Sequence, residues 1–418
     1  MQNAPPSCNF GFDFHRRRNL IHVSESIVAY VVDNLLTLLD VETREERYIR
    51  SPTGGQIGMV AVSPAKDFIA VGENGASPRI SVYTYPEFQL HSTLSGDATS
   101  SYSAGTFSSD GRLFASVSGA PDYWLTLWDW KAQALTLRAK TYGQDIYNVK
   151  FASANDESMM TYGTGHIQFW QMVKTFTGLK LKGSLGKFNG EPLSNITGAL
   201  ELKTDARVLT STEYGDLLIW RRGKVEMKVM RKHLCGKVEN CHAGAIESIS
   251  YIDDGARILT AGEDGAIRSW SVECIQNLIS KASSNIIHLE PVTETTRSGG
   301  HLRHMCTLDH ERCVIQDMGN GLILLMRNDS LSAVKCAHTG RINGCVPSLK
   351  TEHFVTCGQD GGVHCYDYIS RRMCYGRRFS SSATTLVNVP ICIDENGRLF
   401  IVGFEDGFIR ILARNHKQ

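Results

Sequence analysis

The chain has 418 residues, of which 42% are apolar and 21% are charged. That length suffices for two or three average domains or for one large repetitive domain, and the composition is typical of a globular protein. The net charge of +1 disfavours a nucleic-acid-binding protein, because such proteins normally carry a marked basic surplus.

The N-terminal sequence and the cysteines predict a cytosolic chain. MQNAPPSCNFGFDF lacks the basic-then-apolar pattern of a signal peptide, and the longest apolar run, SIVAYVVDNLLTLLDV, is too short to span a membrane. We therefore expect the twelve cysteines to be reduced. Eleven of them lie at or after Cys235, but no CxxC pair occurs, so buried thiols between strands are expected in preference to a metal site.

Residues 1–9 are expected to form a flexible N-terminus, and two basic clusters follow at opposite ends of the chain. These clusters are candidate contacts for an acidic partner such as the tubulin surface, through salt-sensitive attraction. Their arginines are Arg16 and Arg17 in the first cluster and Arg371, Arg372, Arg377 and Arg378 in the second. The alternative is that both clusters are solvated loop faces, where isolated charges contribute little.

A repeated pattern runs along the chain. The stretch TAGEDGAIRSW at residues 260–270 recurs as VTCGQDGGVHCY at 355–366 and as IVGFEDGFIRIL at 401–412. Its last position defines a slot for a large side chain that recurs nine times, at steps of 40 to 56 residues. The nine slots are Leu39, Tyr83, Trp128, Trp170, Trp220, Trp270, Met326, Tyr366 and Leu412.

Turn signals precede many of the slots and divide each unit into short strands. Asp264-Gly265 and Asn320-Gly321 are dipeptides that tolerate the positive φ of a two-residue hairpin. Between the turns the residues alternate as in strands, for example LTLW at residues 125–128. Several short strands in a unit of just over forty residues match a β-propeller blade. The sequence therefore predicts an all-β WD-repeat β-propeller fold with nine WD-like units.

Histidine, hydroxyl and carboxylate side chains recur with a fixed spacing that at first suggests a catalytic triad. The two sets are His242, Thr260, Asp264 and Trp270, and His338, Thr356, Asp360 and Tyr366, each with spacings of 18, 4 and 6 residues. Identical internal spacing in two copies is typical of a structural repeat. In WD-repeat proteins these positions form a buried hydrogen-bonded chain, so the resemblance implies that both sets stabilise their blades. We expect neither an enzyme nor a cofactor.

Four longer stretches resemble the cilia- and flagella-associated protein 44 family of axonemal WD-repeat proteins. They are SPTGGQIGMVAVSP at 51–64, GAPDYWLTLWDWK at 119–131, KTFTGLKLKGSLGKF at 174–188 following GHIQFW, and EYGDLLIW at 213–220. The opening unit, residues 10–48, is also similar to the hydrophobic motif that begins the propellers of echinoderm-microtubule-associated-like proteins. Together the similarity extends over nearly the whole chain.

The resemblance implies a non-catalytic scaffold of the motile cilium or flagellum axoneme. Family members belong to the assembly that links an inner-arm dynein to the doublet microtubule and influence ciliary beating. The implied partners are a related WD-repeat tether subunit, the inner-arm dynein and the doublet microtubule, without nucleic acid, membrane or a small-molecule substrate. The alternative is a general microtubule- or protein-binding adaptor outside cilia.

Two architectures are compatible with nine units. Because seven blades commonly close one propeller, we expect residues 10–336 to form one ring, made of the opening hydrophobic-motif unit and six blades. Residues 337–418 would then contribute two further units of a second propeller. The alternative places all nine units in a single large ring.

Overall fold

The computed structural model describes residues 9–96, 98–153, 155–202, 206–232, 236–282 and 284–414. The expected flexible N-terminus therefore lies outside the described residues, except for residue 9. The fold is all-β, as the sequence predicts, and its strands pair almost entirely as antiparallel neighbours. Apart from the fifth and sixth sheets, each sheet is built only from strands that follow one another in the chain, which is the arrangement of a propeller blade.

The described chain divides into two compact units, residues 16–334 and residues 9–15 together with 335–414. The sequence prediction placed residues 10–15 with the first of these, whereas they pack within the second. The ring of Phe10 lies 5.0 Å from that of Phe354 and 4.8 Å from that of Tyr366. Lys335 Nζ also donates to the carbonyl oxygen of Asn9 at 2.7 Å. Burial of this aromatic face explains the placement.

The first unit contains seven sheets among its described residues. The strands of the first three sheets are β1 (Ile21–Ser24), β2 (Ile27–Val32), β3 (Leu35–Asp40), β4 (Glu46–Arg50), β5 (Ile57–Val62), β6 (Phe68–Glu73), β7 (Arg79–Thr84), β8 (Leu90–Ser95), β9 (Tyr102–Phe107), β10 (Leu113–Ser118), β11 (Trp124–Asp129) and β12 (Ala134–Lys140). The strands of the fourth and fifth sheets are β13 (Ile146–Phe151), β14 (Ser158–Gly163), β15 (His166–Thr175), β16 (Gly178–Leu185), β17 (Ile196–Glu201), β18 (Arg207–Thr212), β19 (Leu217–Arg221), β20 (Lys224–Lys232) and β21 (Val238–Glu239).

The sixth sheet departs from simple chain order because a helix is inserted before its last strand. Its strands are β22 (Ile246–Ile252), β23 (Arg257–Gly262), β24 (Ala266–Ser271) and β26 (Thr293–Thr296), with a short 3-10 helix at Asp253–Gly255. Between the last two strands lie helix α1 (Val272–Lys281) and β25 (Ile286–Leu289), and β25 pairs in parallel with β20 of the fifth sheet. The Ser271 hydroxyl caps α1, and its buried residues Ile275 and Ile279 pack between the fifth and sixth sheets.

The seventh sheet ends the first unit, and two more sheets form the second. Their strands are β27 (Leu302–Thr307), β28 (Arg312–Asp317), β29 (Leu322–Arg327), β30 (Ser330–Cys336), β31 (Ile342–Pro347), β32 (His353–Gly358), β33 (Gly362–Asp367), β34 (Arg372–Arg378), β35 (Ala383–Asn388), β36 (Leu399–Phe404) and β37 (Ile409–Ala413). The ninth sheet has three strands in the described part of the chain. No helix within the described ranges is long and apolar enough to cross a membrane.

The slot residues found in the sequence all lie on the third strand of their sheets, from Leu39 on β3 to Leu412 on β37. Apolar clusters fill the space between neighbouring sheets. Between the third and fourth sheets, for example, Leu127 of β11 packs with Val149 of β13 and Trp170 of β15. Because one sheet cannot bury both of its faces, this stacking supplies the hydrophobic stabilisation of the fold.

The first strands of the seven sheets in the first unit line two adjoining cavities, which we call the central channel, and β1 lies beside both β5 and β27. The first and seventh sheets also contact each other through side chains. Glu42 Oε1 accepts from Arg312 Nη1 at 2.8 Å and from Arg327 Nη2 at 2.6 Å. Contact between the first and seventh sheets is what closure of a seven-membered ring requires. The number of blades in each ring stays a prediction.

Candidate functional site

The first histidine set forms one hydrogen-bonded chain within the sixth sheet. His242 Nε2 lies 2.8 Å from Thr260 Oγ1 on β23, and its Nδ1 lies 2.8 Å from Asp264 Oδ1 in the turn that follows. Trp270 on β24 donates its indole N–H to Thr260 Oγ1 at 2.9 Å. Asp264 also accepts the backbone N–H of Ala266 at 3.1 Å, which anchors the turn. Gly265 adopts a positive φ of 70° and donates its backbone N–H to the Gly262 carbonyl oxygen at 3.1 Å, so the turn spans residues 262–265 and is longer than the two-residue hairpin expected from Asp-Gly.

An arginine that the sequence reasoning missed completes this chain. Arg268 Nη1 donates to Asp264 Oδ2 at 2.7 Å, and its Nη2 donates to Glu294 Oε1 on β26 at 2.8 Å. Residues 268 and 270 share parity on β24 and therefore lie on the same face of the sheet, but both faces of this strand are buried, so parity alone did not mark Arg268. Arg268 is 6% exposed, so its charge is balanced by these two carboxylates inside the fold.

The protonation states follow from burial and from the neighbouring charges. Burial lowers the pKa of His242 below its ordinary value, although Asp264 opposes this effect. Burial alone would raise the pKa of Asp264, but His242 and Arg268 outweigh it and hold that pKa well below its usual range. Two groups meet the imidazole at Nδ1: Asp264 Oδ1 accepts when Nδ1 carries the proton, and Arg268 Nη1, also at 2.8 Å, donates when Nδ1 is unprotonated.

This arrangement is suited to stabilisation and is poorly placed for nucleophilic chemistry. Thr260 and Trp270 are 0% exposed, and His242 is 2% exposed. A nucleophilic hydroxyl must face its substrate, whereas the Thr260 oxygen is enclosed between an indole N–H and an imidazole. The side chains of His242, Thr260, Asp264 and Trp270 each have a hydrogen-bond partner inside the blade, which is the condition for burying polar side chains at low cost.

The histidine, threonine and aspartate of the second set have the same geometry in the eighth sheet. His338 Nε2 lies 2.8 Å from Thr356 Oγ1, and His338 Nδ1 lies 2.9 Å from Asp360 Oδ1. The position that matches Arg268 is His364, whose ring stacks on His338 at 4.1 Å and whose Nδ1 lies 3.1 Å from the Tyr366 hydroxyl. Burial lowers the pKa of His364 to about 4, with the neighbouring His338 and Arg378 acting in the same direction and Asp360 opposing them.

The first basic cluster makes its contacts within its own unit. Arg16 donates to the carbonyl oxygens of Ile57 and Gly58 on β5, the second at 2.7 Å. Arg17 pairs with Glu247 of β22 at 2.9 Å and lies 4.3 Å above the Tyr147 ring. Arg16 and Arg17 line the central channel. Their role as partner contacts stays a prediction. Within the first unit these arginines also connect the segment before β1 to β5 and β22.

The second basic cluster lies on and next to β34, the outer strand of the eighth sheet, and all four of its arginines are exposed. Arg371 adopts a positive φ of 59° in the turn that precedes the strand. Arg377 lies 5.0 Å above the Phe379 ring, and Arg378 donates to the Asp360 carbonyl oxygen at 2.9 Å. Exposed charge on an outer strand also protects a sheet edge against unwanted pairing.

The hairpin of β15 and β16 is the most prominent exposed feature of the fourth sheet. β15 has 10 residues where the third strands β11 and β24 have 6, so the hairpin extends roughly 13 Å farther at about 3.3 Å per residue. Phe176 at the tip is fully exposed, and Leu179 and Leu185 are 43% and 48% exposed. Residues 171–186 contain three lysines and no acidic residue. The hairpin coincides with the KTFTGLKLKG stretch.

The cysteines contribute no site of their own in the described chain. The ten described cysteines are free thiols, and five of them are buried. Burial raises the pKa of the Cys241 and Cys306 thiols to about 12, so neither is a thiolate at neutral pH. Among the described residues, no group of three or more His, Cys, Asp or Glu side chains is arranged to hold a metal ion.

The chain is similar to curated proteins over almost its full length. It is 33% identical to cilia- and flagella-associated protein 44 of Mus musculus over 97% of the chain, and 32% identical to the protein of that name from Chlamydomonas reinhardtii, also over 97%. It spans only 22% and 24% of the length of these relatives. The resemblance seen in the sequence is thereby confirmed, and it supports a WD-repeat protein associated with the cilium or flagellum.

A second group of relatives consists of microtubule-associated proteins. The chain is 23% identical over 84% of its length to the 77 kDa echinoderm microtubule-associated protein of Strongylocentrotus purpuratus, and it spans 49% of that protein. The family model described as the echinoderm microtubule-associated protein first beta-propeller matches residues 55–316, which is more than half of the chain. The chain therefore belongs to the family of the first β-propeller of echinoderm microtubule-associated proteins.

Proposed function

We propose that this chain is a non-catalytic scaffold of the motile cilium or flagellum axoneme. In this proposal it helps to tether an inner-arm dynein to the doublet microtubule and so regulates beating. The observation that carries the proposal is the similarity to cilia- and flagella-associated protein 44 over 97% of the chain. The fold supports it, because stacked sheets with buried polar networks present rigid edges and loops to other proteins.

The hairpin of β15 and β16 is the surface that best fits such a contact. Phe176 supplies an exposed aromatic anchor at its tip, and aromatic side chains are enriched where protein interfaces carry most of their binding energy. Lys174, Lys180 and Lys182 surround it with positive charge. Complementary charge on an acidic axonemal protein would steer association and fix its orientation.

Localisation tests the cellular part of the proposal. A tagged copy of the chain is expressed in ciliated cells and followed along the axoneme, with and without the neighbouring dynein arm. We expect accumulation in the flagellum and altered retention when the arm is missing. A copy that stays diffuse in the cytoplasm and never enters the flagellum would contradict the proposal.

Binding to salt-extracted axonemes tests the contact surface. We expect Phe176→Ala to weaken binding about tenfold or more, because an interface anchor typically contributes at least about 1–2 kcal/mol. Leu193→Ala is the matched control, since Leu193 is 65% exposed and lies outside the hairpin. Equal affinities of wild type and Phe176→Ala would remove the hairpin from the interface.

The microtubule-associated relatives support a second candidate, a general microtubule-binding adaptor outside cilia. Cosedimentation with bare microtubules separates the two. Saturable binding that is lost at moderate salt, from a chain that does not enter cilia, favours the adaptor. Binding to axonemes without binding to bare microtubules favours the axonemal scaffold.

A further inference from the structure

The central channel of the first unit contains a cluster of cationic side chains. The cations are Lys150 on β13, Arg303 on β27, and Arg17 and Arg18 in the segment before β1. The carboxylate of Glu247 on β22 lies among them. Together they line an inner cavity of about 30 Å³. The cluster belongs to neither histidine network.

The lining of this cavity carries more positive than negative side chains. The described lining holds four cationic side chains and one carboxylate, Glu247, which pairs with Arg17 at 2.9 Å. Lys150 Nζ donates to the carbonyl oxygen of Ala199 at 2.8 Å, and that acceptor carries no formal charge. Arg18 is exposed and Lys150 is half-buried, and four cationic side chains against one carboxylate around one cavity create a positive potential that favours an anion there.

The neighbouring titratable groups respond to the same positive potential. Burial lowers the pKa of His304 to about 3, and the charges of Arg18 and Lys150 act in the same direction. Burial would raise the pKa of Tyr162, but Lys150 and Arg18 outweigh it and bring that pKa below its ordinary value. Two neutral polar groups beside the cations are thus held in a positive field.

The channel also has room for a ligand beside this cluster. The inner cavity shares Arg17, Arg18 and Tyr147 with a larger opening of about 670 Å³ along the inner strands of the first four sheets. Arg16 and Asp145 line that opening as well. One oxygen of a small oxyanion would fill the inner cavity, while the rest of the anion would lie in the opening.

We propose that the channel is a binding site for a small multivalent oxyanion of the phosphate class. Lys150 and Arg18 would contact the anion directly, while Arg17 keeps its pairing with Glu247. Phosphate oxygens suit this site, because they accept several charge-assisted hydrogen bonds from lysine and arginine at once. Free phosphate and the terminal phosphate of a small phosphoester share this chemistry. The site is independent of the proposed axonemal function.

Calorimetric titration of the purified full chain at constant ionic strength tests the proposal. The probes are inorganic phosphate, pyrophosphate and glycerol phosphate, with chloride as the reference anion. We expect one phosphate-class anion per chain, and a higher melting temperature in its presence because the anion binds the folded state. Preference for glycerol phosphate over inorganic phosphate would identify a phosphoester as the source, and the reverse would identify the free ion.

Variants distinguish the channel from general electrostatic attraction. We expect Lys150→Met to weaken phosphate binding at least about tenfold, as loss of a charged hydrogen bond predicts, and Lys150→Arg to retain it. Lys174→Met removes the same charge from the exposed hairpin and should leave the affinity within about twofold of wild type. If Lys150→Met does not fold, Arg18→Gln, which alters an exposed side chain, serves in its place.

Three results would overturn the proposal. The first is no binding of phosphate-class anions above the chloride reference. The second is equal weakening by Lys150→Met and Lys174→Met. The third is binding of a poly-glutamate peptide at the channel without binding of phosphate, which would identify a carboxylate polypeptide as the ligand.

Discussion

The two histidine networks share four positions but differ in what surrounds the aspartate. In the sixth sheet Asp264 faces Arg268, which is held in turn by Glu294. In the eighth sheet the equivalent position is His364, which stacks on the network histidine and contacts the terminal tyrosine. The same hydrogen-bonded chain is therefore completed once by a permanent cation and once by a titratable ring.

The difference shows that the spacing of 18, 4 and 6 residues determines the hydrogen bonds among histidine, threonine and aspartate. The same spacing does not determine which charged or titratable group lies beside the aspartate. A permanent guanidinium binds the carboxylate at any physiological pH. A neutral histidine stabilises its neighbours only while it stays unprotonated. The stability of the sixth sheet should accordingly depend more on its network aspartate, and the stability of the eighth sheet should depend more on pH.

Removal of the aspartates is expected to have the largest effect and to separate the networks most clearly. Asp264→Ala would remove the partner of His242 and leave Arg268 with only Glu294 of its two carboxylates, which predicts a loss of about 3 kcal/mol of local stability. Asp360→Ala removes hydrogen bonds without removing a carboxylate from an arginine, so we expect about 1–3 kcal/mol. Native-state hydrogen exchange in β23–β24 and β32–β33 measures each loss separately. Equal losses would contradict the distinction.

Acidification is expected to weaken the eighth sheet through His364. Its pKa is about 4 in the folded protein against about 6.5 in an unfolded chain, so the unfolded state binds more protons between these values. The stabilisation is therefore complete above about pH 6.5 and decreases as the pH falls towards 4, by roughly 2–3 kcal/mol. Hydrogen exchange of β32–β33 across this window measures the loss. The variant His364→Phe should flatten the dependence, and an unchanged slope would assign it to another group.

Removal of the terminal donors is expected to have the smallest effect. Trp270→Phe removes the N–H that reaches Thr260, and Tyr366→Phe removes the hydroxyl beside His364. We expect about 1 kcal/mol for each lost hydrogen bond, with a further packing loss where the smaller phenylalanine ring replaces the indole. Thermal unfolding measures the stability lost in each variant, and hydrogen exchange in the substituted sheet shows that the loss is local. A neutral Trp270→Phe would show that the indole acts only through its apolar surface.

Much of the fold could be predicted because strand alternation and turn chemistry repeat with a nearly constant period. All nine slots lie on third strands, and the glycines of the Asp-Gly turns have the expected positive φ. Helix α1 was missed because it interrupts the sixth unit once, so no repeat signals it. Its Ser271 cap and the apolar spacing of Val272, Ile275 and Ile279 were nonetheless legible as a helix signal.

The site residues were predictable where they belong to the repeat and unpredictable where they do not. His242 and Asp264 follow from spacing, whereas the pairing of Arg268 with Glu294 depends on a strand that returns after the inserted helix. Arg17 was treated as a surface charge because its partner Glu247 is 230 residues away in the sequence. Tertiary contacts of that length leave no local pattern.

The most direct test of the central claim compares stability and axoneme binding in Thr260→Val. This change keeps the side-chain shape and removes the hydroxyl that links His242 to Trp270. If the network is structural, the variant loses about 1–3 kcal/mol of stability in the sixth sheet, yet binds salt-extracted axonemes like wild type below its melting temperature. Unchanged stability together with a complete loss of function would contradict the account and assign Thr260 a chemical role.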